Sequence, residues 1–160
     1  MEVDVRGGER LAQLAKQCRK AGRKDLKLEM TRAIRKETTP VVLTARAAIR
    51  STDMGVGSAS SGHTGIRDRI ARATRMKITT GTRAGVRIEV NESAMPPAEA
   101  RMGKHVNKGA WRHRVYGHNV WVTQQSDAGW FSNTINASVP LLRERIGAVM
   151  DRIAAQIEKG

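Results

Sequence analysis

The chain has 160 residues, a formal net charge of +14, 39% apolar residues and 15 glycines, enough to close one hydrophobic core. No apolar run approaches the ~18 residues of a membrane span, and the N-terminal stretch MEVDVRGGERL has no hydrophobic segment of the secretory kind. A single cysteine, Cys18, excludes an intrachain disulfide framework and a cysteine-based zinc finger, so the expectation is a soluble, basic, single domain over residues 1–160.

Residues 9–21 read as a helix, because Leu11, Leu14, Ala15 and Cys18 share one face at the 3.6-residue period and Gly22 supplies a C-terminal cap. The pattern restarts with Leu26, Met30, Ala33 and Ile34 and continues through Val41, Ala45, Ala48 and Ile49. Across Thr38-Thr39-Pro40 two readings compete: a new helix opening at Pro40 with Thr39 as its cap, or one helix over about 24–51 kinked at Pro40. The stripe keeps its register, which favours the kinked helix, ~40 Å long at 1.5 Å per residue. Residues 51–65 are rich in Gly, Ser and Thr and read as a flexible loop. Ile66 to Arg72 suits one or two helical turns. Arg75–Thr80 and Gly85–Val90 alternate apolar and polar residues about Gly81-Thr82-Arg83-Ala84, which predicts a β-hairpin with one wet face. Residues 91–97 break the pattern, 98–107 suit a short helix, and Trp121 with Val120 and Val122 marks a strand near 119–124 after a turn at Gly117 and Asn119. Leu142, Ile146, Val149, Ile153 and Ile157 define a C-terminal helix over about 139–158, with Ser138 as cap and Pro140 in its first turn. The predicted fold class is α+β: a small antiparallel sheet packed by a long N-terminal helix and a C-terminal helix.

Candidate chemistry is sparse. Gly57 to Thr64 has the spacing of a phosphate-binding loop, but His63 stands where that loop needs a lysine to reach the phosphates, and a helix end rather than a buried strand precedes it. His63, His105, His113 and His118 lack the nearby Asp, Glu or Cys that a three- or four-ligand metal site requires. No G-x-S-x-G elbow frames a serine, and no pair of carboxylates is placed by local spacing for acid–base work. The expectation is a protein without catalytic activity, metal or cofactor. The densest basic run is Arg19, Lys20, Arg23, Lys24 and Lys27. Clustered cations suit a nucleic-acid contact by counterion release, while the interleaved Asp25, Glu29 and Glu37 suit a plain solvated helix face.

All five aromatic residues, Trp111, Tyr116, Trp121, Trp130 and Phe131, lie within residues 111–131. Three readings stand: large side chains completing the core, a protein interface enriched in Trp, Tyr and Arg, or a stacking platform for single-stranded nucleic acid with Arg112 and Arg114 beside it.

The block Trp111-Arg112-His113-Arg114-Val115-Tyr116-Gly117, then Trp121-Val122-Thr123-Gln124, then Gly129-Trp130-Phe131 resembles the neck or tail-completion family of long-tailed bacteriophages, particularly those of actinobacteria. The wider order of basic N-terminal helices, Gly-rich loop, hairpin, aromatic block and C-terminal helix is similar too. Members often carry Pro after the His, where this chain has Arg114. The resemblance implies an α+β virion structural protein of the head-to-tail connector, free in the host cytoplasm during assembly. It implies a homo-oligomeric, hexameric ring around the DNA channel that joins head-closure and tail-terminator proteins without catalysis. On that footing Trp111, Arg112, His113, Tyr116, Trp121, Trp130 and Phe131 form the core-and-interface block. The alternative is a basic nucleic-acid-binding protein that uses Arg19, Lys20, Arg23, Lys24 and Lys27.

Overall fold

A computed structural model describes residues 1–5, 8–54, 65–80, 84–114 and 118–159. In chain order the elements are β1 (Glu2–Val5), α1 (Gly8–Lys20), α2 (Lys24–Ser51), α3 (Ile66–Ala73), β2 (Thr74–Thr79), β3 (Gly85–Val90), α4 (Met102–Lys108), β4 (Ala110–Arg114), β5 (Trp121–Gln125) and α5 (Ser132–Glu158), with short 3-10 turns at Glu92–Ala94 and Pro97–Glu99. The protein is α+β with long helices near each end, as its patterning predicts, and it has two small antiparallel sheets where one was expected.

The contacts cluster into two compact units, and α2, β2, β3 and α5 each contribute to both. One unit takes Glu2–Val42, Met76–Glu89 and Asn136–Gly160. In it, α1 buries Leu11, Leu14, Ala15 and Cys18, the face its periodicity predicts. Gly22, with φ 70°, ends α1 in a Schellman turn: Arg23 N–H donates to the Cys18 carbonyl at 2.8 Å and Gly22 N–H to that of Arg19 at 3.2 Å. The stripe of α2 in this unit is Leu26, Met30, Ile34, Thr38 and Val42, all buried. Thr38, a polar residue absent from the predicted stripe, is fully buried, and its hydroxyl donates to the Ile34 carbonyl at 2.8 Å. Helix α2 runs unbroken through Pro40, so no new helix starts there. On α5, Val139, Leu142, Ile146, Val149, Met150 and Ile153 are buried. Glu37 meets Arg145 at 3.5 Å and Glu29 meets Arg152 at 4.0 Å, so α2 and α5 run antiparallel; Arg10 ties α1 to Asp151 of α5.

The three-stranded sheet has the order β1-β3-β2, with Glu2 opposite Glu89 and Val5 opposite Val86. Strand β1 was not expected: four residues are too short to signal a strand, and their partner lies some eighty positions away. Val86, Ile88 and Val90 of β3 alternate inward as predicted.

The other unit takes Met1, Leu43–Arg75 and Val90–Ile135. Its core holds Ala45, Ile49, Ile70, Ala71, Val106, Trp111, Trp130, Phe131 and Ile135. Arg46 places Nε and Nη2 on the Thr74 carbonyl at 3.0 and 2.8 Å, and Arg69 grips Glu99 with two bonds of 2.6 and 2.7 Å. The short helix expected over 98–107 is α4, beginning only at Met102 after the two 3-10 turns. Helix α5 begins at Ser132, so the expected start near 139 is corrected, and Ser138 and Pro140 lie inside the helix. The reason is a cap supplied from elsewhere: Asn107 Oδ1 of α4 accepts from Phe131 N–H at 2.9 Å and Ser132 N–H at 3.1 Å.

Candidate functional site

Gly109, in a left-handed turn with φ 86°, closes α4 and sends the chain directly into β4. Strand β4 was not anticipated, because Arg112, His113 and Arg114 break any apolar alternation. It pairs antiparallel with β5: Trp111 opposite Gln124, Arg112 opposite Thr123, His113 opposite Val122 and Arg114 opposite Trp121. The pleat sorts this ribbon into two faces. Trp111, with Gln124 and Val122 beside it, turns inward and is 7% exposed. Arg112, Arg114, Trp121, Thr123 and Gln125 turn outward and are all exposed.

The aromatic block therefore divides. Trp111, Trp130 and Phe131 are core residues; Trp130 and Phe131 meet edge to face with ring centres 5.4 Å apart, and Trp130 Nε1–H donates to the Gly103 carbonyl at 3.2 Å. Trp121 is 56% exposed, and the Arg112 guanidinium lies 5.9 Å from its ring centre, a diagonal cross-strand cation–π contact. Val120, at the ribbon tip, is 57% exposed. Arg114 donates to Asn119 Oδ1 at 2.7 Å, bracing the end of the ribbon. His113 holds its place in β4, and Tyr116 lies outside the described residues, as does the Gly57–Thr64 loop with His63.

Beside the ribbon is a cavity of about 510 Å³ lined by Met102 and His105 of α4, by Arg101 just before that helix, by Trp111 and Arg112 of β4, by Gln124 of β5 and by the 92–100 turns. Glu92 is the carboxylate on its wall, and it faces the N-terminal ammonium at 3.7 Å. Between Glu99 and Asp127 the sequence has no acidic residue, while Arg101, Lys104, Lys108, Arg112 and Arg114 are all exposed. Sequence reasoning noted Arg112 and Arg114 beside the aromatics but passed over Arg101, Lys104 and Lys108, because those cations are spread out rather than bunched. The signal that could have found them is the missing acids.

The bunched run lies in the other unit. Arg19, Lys20 and Lys24 are exposed and Lys27 half-buried, but Arg23 is held by the Asp25 carboxylate at 3.2 Å. That hydrogen bond holds the Asp25 carboxyl below its usual range. Farther along α2 an outward strip of Asp25, Leu28, Glu29, Arg32, Ala33 and Lys36 lines a concavity of about 470 Å³, with Leu28 50% exposed. Burial pushes the Cys18 thiol up from its ordinary value, so it stays protonated and unreactive at neutral pH. Among the described residues no group of three His, Cys, Asp or Glu is placed to hold a metal, and no helix is long and apolar enough to cross a membrane. No family model, no curated protein and no solved structure matches the chain.

Proposed function

We propose that this chain is a structural subunit of the head-to-tail joint of a long-tailed bacteriophage. It works by assembly, as a ring around the DNA channel between head-closure and tail-terminator components. The resemblance of residues 111–131 to that family gives the reading its identity. The observation that carries assembly is the outward strip of α2, where Leu28 is bordered by Asp25 and Glu29, and Ala33 by Arg32 and Lys36. An exposed leucine bordered by separated charges of both signs suits a neighbouring subunit that covers the apolar part and reads the charge order. A ring repeats one such heterologous contact around an axis, so a modest contact per subunit is multiplied by closure. The test is Leu28→Asp introduced into the phage that encodes the chain. The variant stays folded with only a small fall in melting temperature, because Leu28 is 50% exposed, while full heads and finished tails accumulate unjoined. Normal yields of joined, infectious particles would remove the reading.

A further inference from the structure

We propose that the outward face of the β4–β5 ribbon, continued by α4, binds single-stranded nucleic acid, with Trp121 as the base-stacking platform and Arg112, Lys104 and Lys108 as phosphate contacts. The inference is independent of the assembly reading, since a ring subunit and a free chain carry the same face.

Two observations converge on it. The first is charge. Every ionic side chain between Glu99 and Asp127 is cationic, and the cations of this stretch stand exposed on adjoining elements. Arg101, His105 and Arg112 also line one cavity of about 510 Å³ between α4 and the ribbon, shared with Glu92 and with Trp111 and Gln124 of the inner face. Such a strip selects an anionic occupant, and a second copy of a chain with net charge +14 is poorly suited to supply it.

The second observation is the kind of surface between the cations. Trp121 presents an indole 56% exposed, on a ribbon that Trp111 anchors from its inner face. Thr123 and Gln125 follow it on the same outward face, and Asn119 stands at the ribbon tip. An exposed ring gains by stacking on a base, and a base offers its π-face only when it is unstacked from a duplex. The Arg112 guanidinium lies over the ring, 5.9 Å from its centre, and so puts positive charge within reach of the phosphate of a nucleotide stacked on the exposed part of the indole. An acidic protein would satisfy the cations but would leave the exposed indole without a specific role. The run Arg19–Lys27 differs on both counts, having an internal carboxylate on Arg23 and no aromatic residue.

The test is fluorescence anisotropy of the full chain with a labelled oligothymidine, at several salt concentrations, with a mixed-sequence duplex of equal length and polyglutamate as competitors. Trp121→Ala should weaken oligothymidine binding about tenfold with the salt dependence unchanged, since stacking releases no counterion. Lys104→Ser/Lys108→Ser should weaken it too, and should flatten the slope of log K against log salt by about 1.4, the single-strand value for two phosphate contacts. Lys24→Ser/Lys27→Ser should leave the affinity near wild type. All these side chains are on the surface, and matching melting temperatures confirm that the variants fold. Any of four results overturns the proposal: Trp121→Ala binding as tightly as wild type, duplex competing better than oligothymidine, polyglutamate competing equally well, or Lys24→Ser/Lys27→Ser abolishing binding.

Discussion

Asn107 joins two elements that the chain reaches far apart. Its side-chain oxygen accepts from the Phe131 and Ser132 N–H groups, and its Nδ2 reaches the Ser132 hydroxyl at 3.3 Å. Asn107→Ala strands two donors at the start of α5, and we expect a loss of about 1–2 kcal/mol, read as a lower urea midpoint with unchanged m-value. An unchanged midpoint would mean that water caps the helix as well as Asn107 does. Gly109 is constrained twice: its φ of 86° disfavours any side chain, and a Cβ there would stand 2.8 Å from the Ala128 Cβ. Gly22 has only the first constraint, with nothing within 4 Å of its Cβ position. Gly22→Ala should therefore cost about 1 kcal/mol, and Gly109→Ala about 2–4 kcal/mol, because a steric clash adds to the backbone term. Equal costs would show that the chain around Ala128 yields freely.

At the scale of elements, α2 carries a proline where a helix loses a hydrogen bond. Pro40 is exposed and has no N–H to give to the Lys36 carbonyl. Pro40→Ala restores that donor, and a gain of about 1–3 kcal/mol is expected. A loss instead would mean that packing on both sides of residue 40 depends on the geometry proline imposes. The end of α2 is tied to α3 by Arg50 and Asp68 at 2.8 Å, and this hydrogen bond lowers the Asp68 carboxyl from its ordinary value. A lowered folded-state value means that the stabilisation is present above the ordinary aspartate range of ~3.9 and is lost as the pH falls through the folded value. Asp68→Asn should lower the melting temperature slightly at neutral pH, and the gap to wild type should close in acid. A gap that widens in acid contradicts the sign. Local periodicity made α1, α2, α3, the β2–β3 pair and most of α5 legible, because each buries one regular stripe. Two strands were hidden by non-local causes: β1 is specified by its partner β3, and β4 by Trp111 anchoring its inner face under three consecutive cationic or titratable residues. The start of α5 was hidden because its cap comes from α4. In the aromatic block, spacing alone did not separate the buried Trp111 from the exposed Trp121; that division follows from the register Arg114 opposite Trp121, which sets the inward and outward faces.

At the scale of the whole molecule, a net charge of +14 acts on self-association and on nucleic-acid binding with opposite salt dependence. Salt screens repulsion between like-charged subunits, so self-association should strengthen as ionic strength rises, whereas phosphate contacts weaken. Sedimentation velocity and oligothymidine anisotropy across the same salt series check both signs, and parallel trends would show that one surface serves both. Helix α2, at 28 residues, spans ~42 Å and passes through both compact units, presenting its Leu28 strip in one of them. The proposed function makes the chain a component of the joint between head and tail. Gold-labelled antibody against the chain, applied to purified particles of a long-tailed phage whose genome carries this sequence and viewed by electron microscopy, tests that proposal most directly. The account predicts label at the head–tail junction of intact particles. Particles that carry none of the protein, or label confined to the capsid shell or the tail tip, would contradict it.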